Sequence, residues 1–180
     1  NIIAQKADGA LRDALSIYDQ IISFSGNKIK YKDVIQNLNI LDYNYYFRVT
    51  DALYNSDIPM SLNELNHILN DGYDGHQFIN GLGSHFRNLL VSKDANTISL
   101  LEVGNSIKER YLEQSKKWDQ RDLLKSLEFC NKVDINYKAS KNKRLLIEIT
   151  LMQICGIKLD NNNTEKKTFV VKQKQSNELN

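Results

Sequence analysis

The chain has 180 residues and a mass of 20.8 kDa, enough for one domain of ordinary size or one domain plus a piece of another. Apolar residues make up 41% and charged residues 26%, with a mean hydropathy of −0.49, which excludes collagen-like, wholly disordered and membrane-spanning sequences. The formal charge of +2 hides an asymmetry: residues 1–105 carry 8 basic and 12 acidic side chains, whereas residues 106–144 carry 11 and 6.

No charged segment followed by an apolar run opens the chain, so no secretory signal is read. Cys130 and Cys155 form no C-x-x-C pair, and a reducing cytoplasm suits them. The first residue is Asn1 rather than methionine, as expected of a piece of a longer polypeptide.

Breakers are scarce, with Pro59 the only proline, so long segments of helical length remain. The first runs from Ala10 to Phe24, where Leu11, Leu15, Tyr18 and Ile22 recur at helical intervals between a capping Asp8 and a terminating Gly26. Helices are predicted next from about Tyr31 to Leu38 and from Asn44 to Tyr54. Ser56 or Asp57 can cap a fourth, with Pro59 harmless in its first turn and Gly72 stopping it. Asp74 caps a fifth, whose stripe of Phe78, Ile79, Leu82, Phe86, Leu89 and Leu90 passes Gly81 and Gly83. Each glycine there costs about 1 kcal/mol against alanine, so the pair predicts close approach of a neighbouring helix.

Asn96 to Val103 and Ser106 to Lys117 read as a helix broken or ended near Gly104. Asp119 to Tyr137 reads as one long helix with Leu123, Leu127 and Cys130 inward. The last helix, Asn142 to Cys155, is ended by Gly156 and is apolar around most of its circumference, so it is buried centrally or forms a subunit interface. Its Leu145, Leu146, Ile149, Met152 and Ile154 cannot all face one core, which makes them the candidate interface residues, with Lys125 and Lys132 as a polar rim. From Lys158 onward apolar content falls, and a flexible tail is expected. No strand alternation competes before residue 157, so the fold class is all-α, a helical bundle.

The sequence holds no G-x-x-x-x-G-K-[ST] loop, no H-E-x-x-H, no G-x-S-x-G and no cysteine cluster, so it contains no complete active site and is not an enzyme by itself. His67, His76 and His85 match no metal-ligand spacing, and His85 beside Phe86 reads as a packing residue. Both cysteines read as small core residues. Arg12 is sharper, because a cation in the first helical turn opposes the macrodipole. Either it pairs with Asp8 four residues earlier, or its guanidinium and the helix N-terminus meet an anion such as a phosphate. The cations Lys108, Arg110, Lys116, Lys117, Arg121, Lys125 and Lys132 offer an alternative function as a helical nucleic-acid-binding module, although Glu109, Glu113, Asp119 and Asp122 interrupt them.

Residues 4–20, Ala-Gln-Lys-Ala-Asp-Gly-Ala-Leu-Arg-Asp-Ala-Leu-Ser-Ile-Tyr-Asp-Gln, resemble the sensor-2 helix of clamp-loader AAA+ ATPases, A-x-G-[SA]-x-R-D-A-L-S-x-x-D-Q. The chain is similar, more specifically, to the gamma/tau subunits of bacterial DNA polymerase III. That likeness continues through Gly75-His76-Gln77-Phe78-Ile79, Leu82 to Leu90, Asp134 to Lys138, Asn142 to Leu145 and Glu148 to Cys155. Ala10 stands where serine is commoner.

The resemblance implies that residues 1–25 end an AAA+ lid domain, 26–157 form a helical collar through which subunits assemble, and 158–180 are a tail or linker. It implies that Arg12, after Gly9, contacts the γ-phosphate of ATP bound with Mg in the full-length protein. The Walker motifs, zinc module and arginine finger of the family lie upstream. Implied partners are delta, delta prime and further gamma/tau copies, and through the whole complex the sliding clamp and primer-template DNA, with no membrane.

Overall fold

In the computed structural model, the described residues are 3, 7, 10–25, 34 and 42–157. They form helices α1 (Leu11–Ser25), α2 (Tyr43–Tyr54), α3 (Ile58–Asn70), α4 (Gly75–Val91), α5 (Asn105–Lys117), α6 (Gln120–Asn136) and α7 (143–157), with no strand among them. Short polar side chains start five of these helices by filling amide N–H groups that have no partner within the helix. Asp42 accepts from the Asn44 amide at 2.7 Å, Asp57 from Met60 at 2.9 Å, Asp74 from Gln77 at 2.9 Å, Asp119 from Arg121 at 2.8 Å and Asn142 from Leu145 at 3.0 Å. Each such cap is worth about 1 kcal/mol. Pro59 sits in the first turn of α3, and the turn after α3 places Gly72 at φ +84°, a conformation that glycine adopts without a Cβ clash.

α4 is the hub. It packs extensively on α6 and also meets α5 and α2, while α2 and α3 pack on each other. Phe78, Ile79, Leu82, Phe86 and Leu89 of α4 are fully buried against Phe47, Leu53, Tyr111 and Leu123 in one core, each contributing roughly 1.5–3 kcal/mol by leaving water. The two α4 glycines serve different neighbours. A Cβ on Gly83 would stand 3.4 Å from Cys130 Cβ, the close helix approach that the sequence predicts. At Gly81 the space is taken instead by the Tyr46 ring of α2.

Polar side chains tie the helices at defined points. Arg48 on α2 donates from Nε and a terminal nitrogen to both oxygens of Glu64 on α3, at 3.1 and 2.9 Å. Arg110 on α5 lies 4.0 Å over the Phe47 ring and donates to Asn44 at 2.6 Å, and Lys117 pairs with Asp51 at 3.0 Å. A chain of hydrogen bonds through His85 joins α4, α5 and α2 in the interior.

Two expectations need correction. Asn96 to Val103 is not an α-helix: its one helical element is the 3-10 turn Ile98–Leu100, because Thr97 turns its hydroxyl back on the Val91 and Asp94 carbonyls and Leu101 leaves in extended conformation. Gly156 does not end α7, which continues through the buried Ile157. A glycine permits a helix end but does not impose one, and packing of Ile157 carries the helix on. On α1, where the expected helix forms, Leu11, Leu15, Tyr18 and Ile22 point outward, and Ile17 and Ile21 pack against Ile3 and Val34. The helix expected over 31–38 is represented by the helical Val34 alone, and the expected tail from Lys158 lies outside the described residues.

Candidate functional site

α7 resolves into two faces. Ile147, Leu151, Ile154, Cys155 and Ile157 lie 0–3% exposed in the core, while Leu145, Ile149 and Met152 on the opposite side are 45%, 43% and 36% exposed. Steps of four and three residues bring these three onto one line along the helix. The helix is held in this rotation by its inner contacts. Arg144 donates to Asn66 of α3 at 3.1 Å, Ser56 donates to the Cys155 carbonyl at 2.9 Å, and Ile147 fits over Gly75, where a Cβ would come within 2.8 Å of its Cδ1. Of the five candidate interface residues, Leu145, Ile149 and Met152 form the open stripe, Leu146 is half-buried, and Ile154 is a core residue at 1% exposure. Ile154 is therefore removed from the candidate surface.

The rim residues divide as well. Lys132 pairs with Glu128 one turn earlier at 2.7 Å, and Lys125 is exposed on α6, where Leu124 and Ile135 are exposed apolar neighbours on the outer face. Four further cations immediately precede the stripe in the chain, Lys138, Lys141, Lys143 and Arg144, all exposed. Their close spacing is visible in the sequence, whereas their place at the start of α7, next to the stripe, follows only from the fold.

Arg12 occupies the first turn of the 15-residue α1, exposed, beside Asp13. It makes no ion pair among the described residues; Asp8 and Gly9 lie outside them, as does any pairing of Arg12 with Asp8. The helix also carries the open stripe of Leu11, Leu15, Tyr18 and Ile22, from 75% to 37% exposed.

Other titratable groups have structural partners. His85 is 1% exposed and bonded on both ring nitrogens, and burial pushes its pKa down to about 4. His76 stacks on Tyr137 and bonds Asp134 at 2.7 Å. Burial pushes the Cys130 thiol up to about 12 and raises that of Cys155, so neither is poised as a nucleophile. Among the described residues no group of three or more potential ligands could hold a metal, and no helix is long and apolar enough to cross a membrane. Of the cations proposed for nucleic acid, Arg110, Lys117 and Lys132 are tied to neighbours on this chain, and Glu109 and Glu113 share the exposed side of α5 with Lys116.

The family model for DNA polymerase III subunits gamma and tau domain III matches residues 29–167, and that for the ATPase lid domain of the DNA polymerase III clamp loader subunit matches residues 1–27. The chain is 29% identical over 154 residues to DNA polymerase III subunit tau of Bacillus subtilis (strain 168), covering 86% of this chain and 27% of that one. It is 28% identical over 193 residues to DNA polymerase III subunit gamma/tau of Mycoplasma genitalium, covering 93% and 32%. It thus spans between about a quarter and a third of the length of these relatives. In three dimensions it is similar to the Bacillus subtilis DNA clamp loader delta protein, with a TM-score of 0.57 at 18% identity over 85% of this chain and 48% of that one, a likeness of fold. With the family model covering most of its length, the chain belongs to the DNA polymerase III gamma and tau subunits, whose domain III is the helical bundle described above.

Proposed function

We propose that the bundle of α2 to α7 is an assembly platform of a bacterial clamp loader, the machine that places the sliding clamp on primer-template DNA. Its partners in this reading are delta, delta prime and further gamma/tau subunits, in the cytoplasm. The observation that carries the proposal is the Leu145–Ile149–Met152 stripe: three large apolar side chains in line and open to water, on a helix whose other face is already committed to the core. Such a line suits a protein contact that buries it.

α1 has a second role in the same reading. ATP and its Mg²⁺ belong to parts of the full-length subunit other than this segment, and they supply the phosphoryl chemistry. The Arg12 guanidinium, free of ion pairs among the described residues, would hold the γ-phosphate by donating hydrogen bonds to it, and the α1 N-terminus would add favourable potential. Held in this way, Arg12 would couple the position of the lid helix to nucleotide state.

Ile149→Asp tests the platform. It is expected to preserve helix content by circular dichroism and to abolish co-elution of the full-length subunit with delta and delta prime; unchanged assembly would overturn the reading. Arg12→Ala is expected to slow ATP-dependent clamp loading while assembly persists, and an unchanged loading rate would remove Arg12 from the nucleotide site.

A further inference from the structure

Positive charge is concentrated at one end of the open stripe. Lys138, Lys141, Lys143 and Arg144 are all exposed within seven residues, immediately before Leu145. The nearby acids already have partners: Glu148 accepts from Arg144 at 2.8 Å, Asp134 bonds His76 at 2.7 Å, and Asp74 beside Tyr137 accepts from the Gln77 amide at 2.9 Å. Lys143 lies 5.4 Å from the Tyr137 ring centroid, and Lys138 and Lys141 make no ion pair among the described residues. The α7 N-terminus, capped by Asn142, adds its own positive potential to this group.

These cations repel one another in the free chain, and their charge is complementary to a partner that brings acids to this end and apolar side chains along the stripe. We infer that α7 receives an acidic amphipathic segment of a neighbouring clamp-loader subunit. The apolar side chains of that segment cover Leu145, Ile149 and Met152, and its carboxylates meet Lys138, Lys141 and Lys143. The inference rests on the assembly reading and adds the partner's chemistry to it. From residue 145 to 152 the stripe runs about 10 Å, so roughly two turns of a partner helix cover it. A nucleic acid would neutralise the lysines but leave the apolar stripe in water, whereas an acidic amphipathic segment uses both.

The test is the Lys138→Glu/Lys141→Glu variant of the full-length subunit, sedimented with delta and delta prime at low and high salt. Both positions are exposed, so folding is expected to be intact. At low salt the reversal is expected to weaken assembly about tenfold, and wild-type assembly to weaken with added salt more steeply than the variant's. If the variant assembles as wild type while Ile149→Asp does not, the partner is not acidic and the assembly reading stands. If Ile149→Asp also assembles normally, both fail. A short DNA duplex serves as the opposing probe. Salt-sensitive duplex binding lost in the lysine variant, with subunit assembly unchanged, would overturn the inference in favour of nucleic acid.

Discussion

His85 Nε2 lies 2.8 Å from Oε1 of Gln114, and this contact sets the direction of the hydrogen bonds in the interior. The Gln114 amide nitrogen donates to the Phe47 carbonyl at 3.0 Å, so its oxygen faces the imidazole as an acceptor. His85 therefore carries its proton on Nε2, and Nδ1 accepts from the Tyr111 hydroxyl at 3.0 Å. The neutral ring satisfies every partner, and a second proton would displace the Tyr111 donor.

Burial lowers the His85 pKa to about 4, against about 6.5 in an unfolded chain. Between these values the unfolded state binds more protons, so the His85 contribution is fully present above pH 6.5 and is lost as pH falls toward 4. Urea unfolding from pH 7 to 5, above the main carboxylate range, is expected to show falling stability in the wild type and a flatter profile in His85→Gln. Equal slopes would mean that His85 takes up its proton as readily in the folded protein as in the unfolded chain.

Gly81 and Gly83 are expected to respond differently to alanine. A Cβ at Gly81 meets the Tyr46 ring, which is held between Phe78 and His85, so Gly81→Ala should cost about 1–3 kcal/mol despite its better helix propensity. Gly83→Ala meets Cys130 Cβ at an ordinary 3.4 Å and should be near neutral. Thermal melts of the two variants check this, and Tyr46→Phe, which removes the nearest atom, should recover part of the Gly81→Ala loss.

Thr50 is wholly buried, and its hydroxyl has no hydrogen-bond partner among the described residues. Thr50→Val keeps the β-branched shape and removes an unsatisfied group, so it should stabilise the fold by about 1 kcal/mol. Urea midpoints with an unchanged slope measure it, and a clear loss of stability would show that the hydroxyl has a partner in solution.

Helix starts were legible because each depends on one or two local residues: Asp57 with Pro59, and Asp74 before the Phe78 stripe, stand in the structure as the spacing predicts. The orientation of helix faces was not legible to the same degree. On α7 most of the circumference looks apolar in sequence, and tertiary contacts such as the seating of Ile147 over Gly75, Cys155 against Ser56 and Arg144 on Asn66 turn Ile154 inward and Ile149 outward. The stretch 96–103 misled because Ile98, Leu100 and Leu101 mimic helical spacing, while the Thr97 side chain competes for the backbone. The Arg12 helix was found by its motif, whereas the cations beside the α7 stripe needed the fold to join them to it.

The chain's two methionines allow a direct measurement of whether the α7 stripe is an assembly surface. Met152 lies in the stripe at 36% exposure, and Met60 lies on α3 at 42%. Brief peroxide treatment should oxidise both to the sulfoxide in the free subunit, with conversion at each read by mass spectrometry. After assembly with delta and delta prime, Met152 is expected to be protected at least severalfold while Met60 reacts as before. Equal reactivity of Met152 in free and assembled subunits would contradict the assignment of the stripe as the assembly surface.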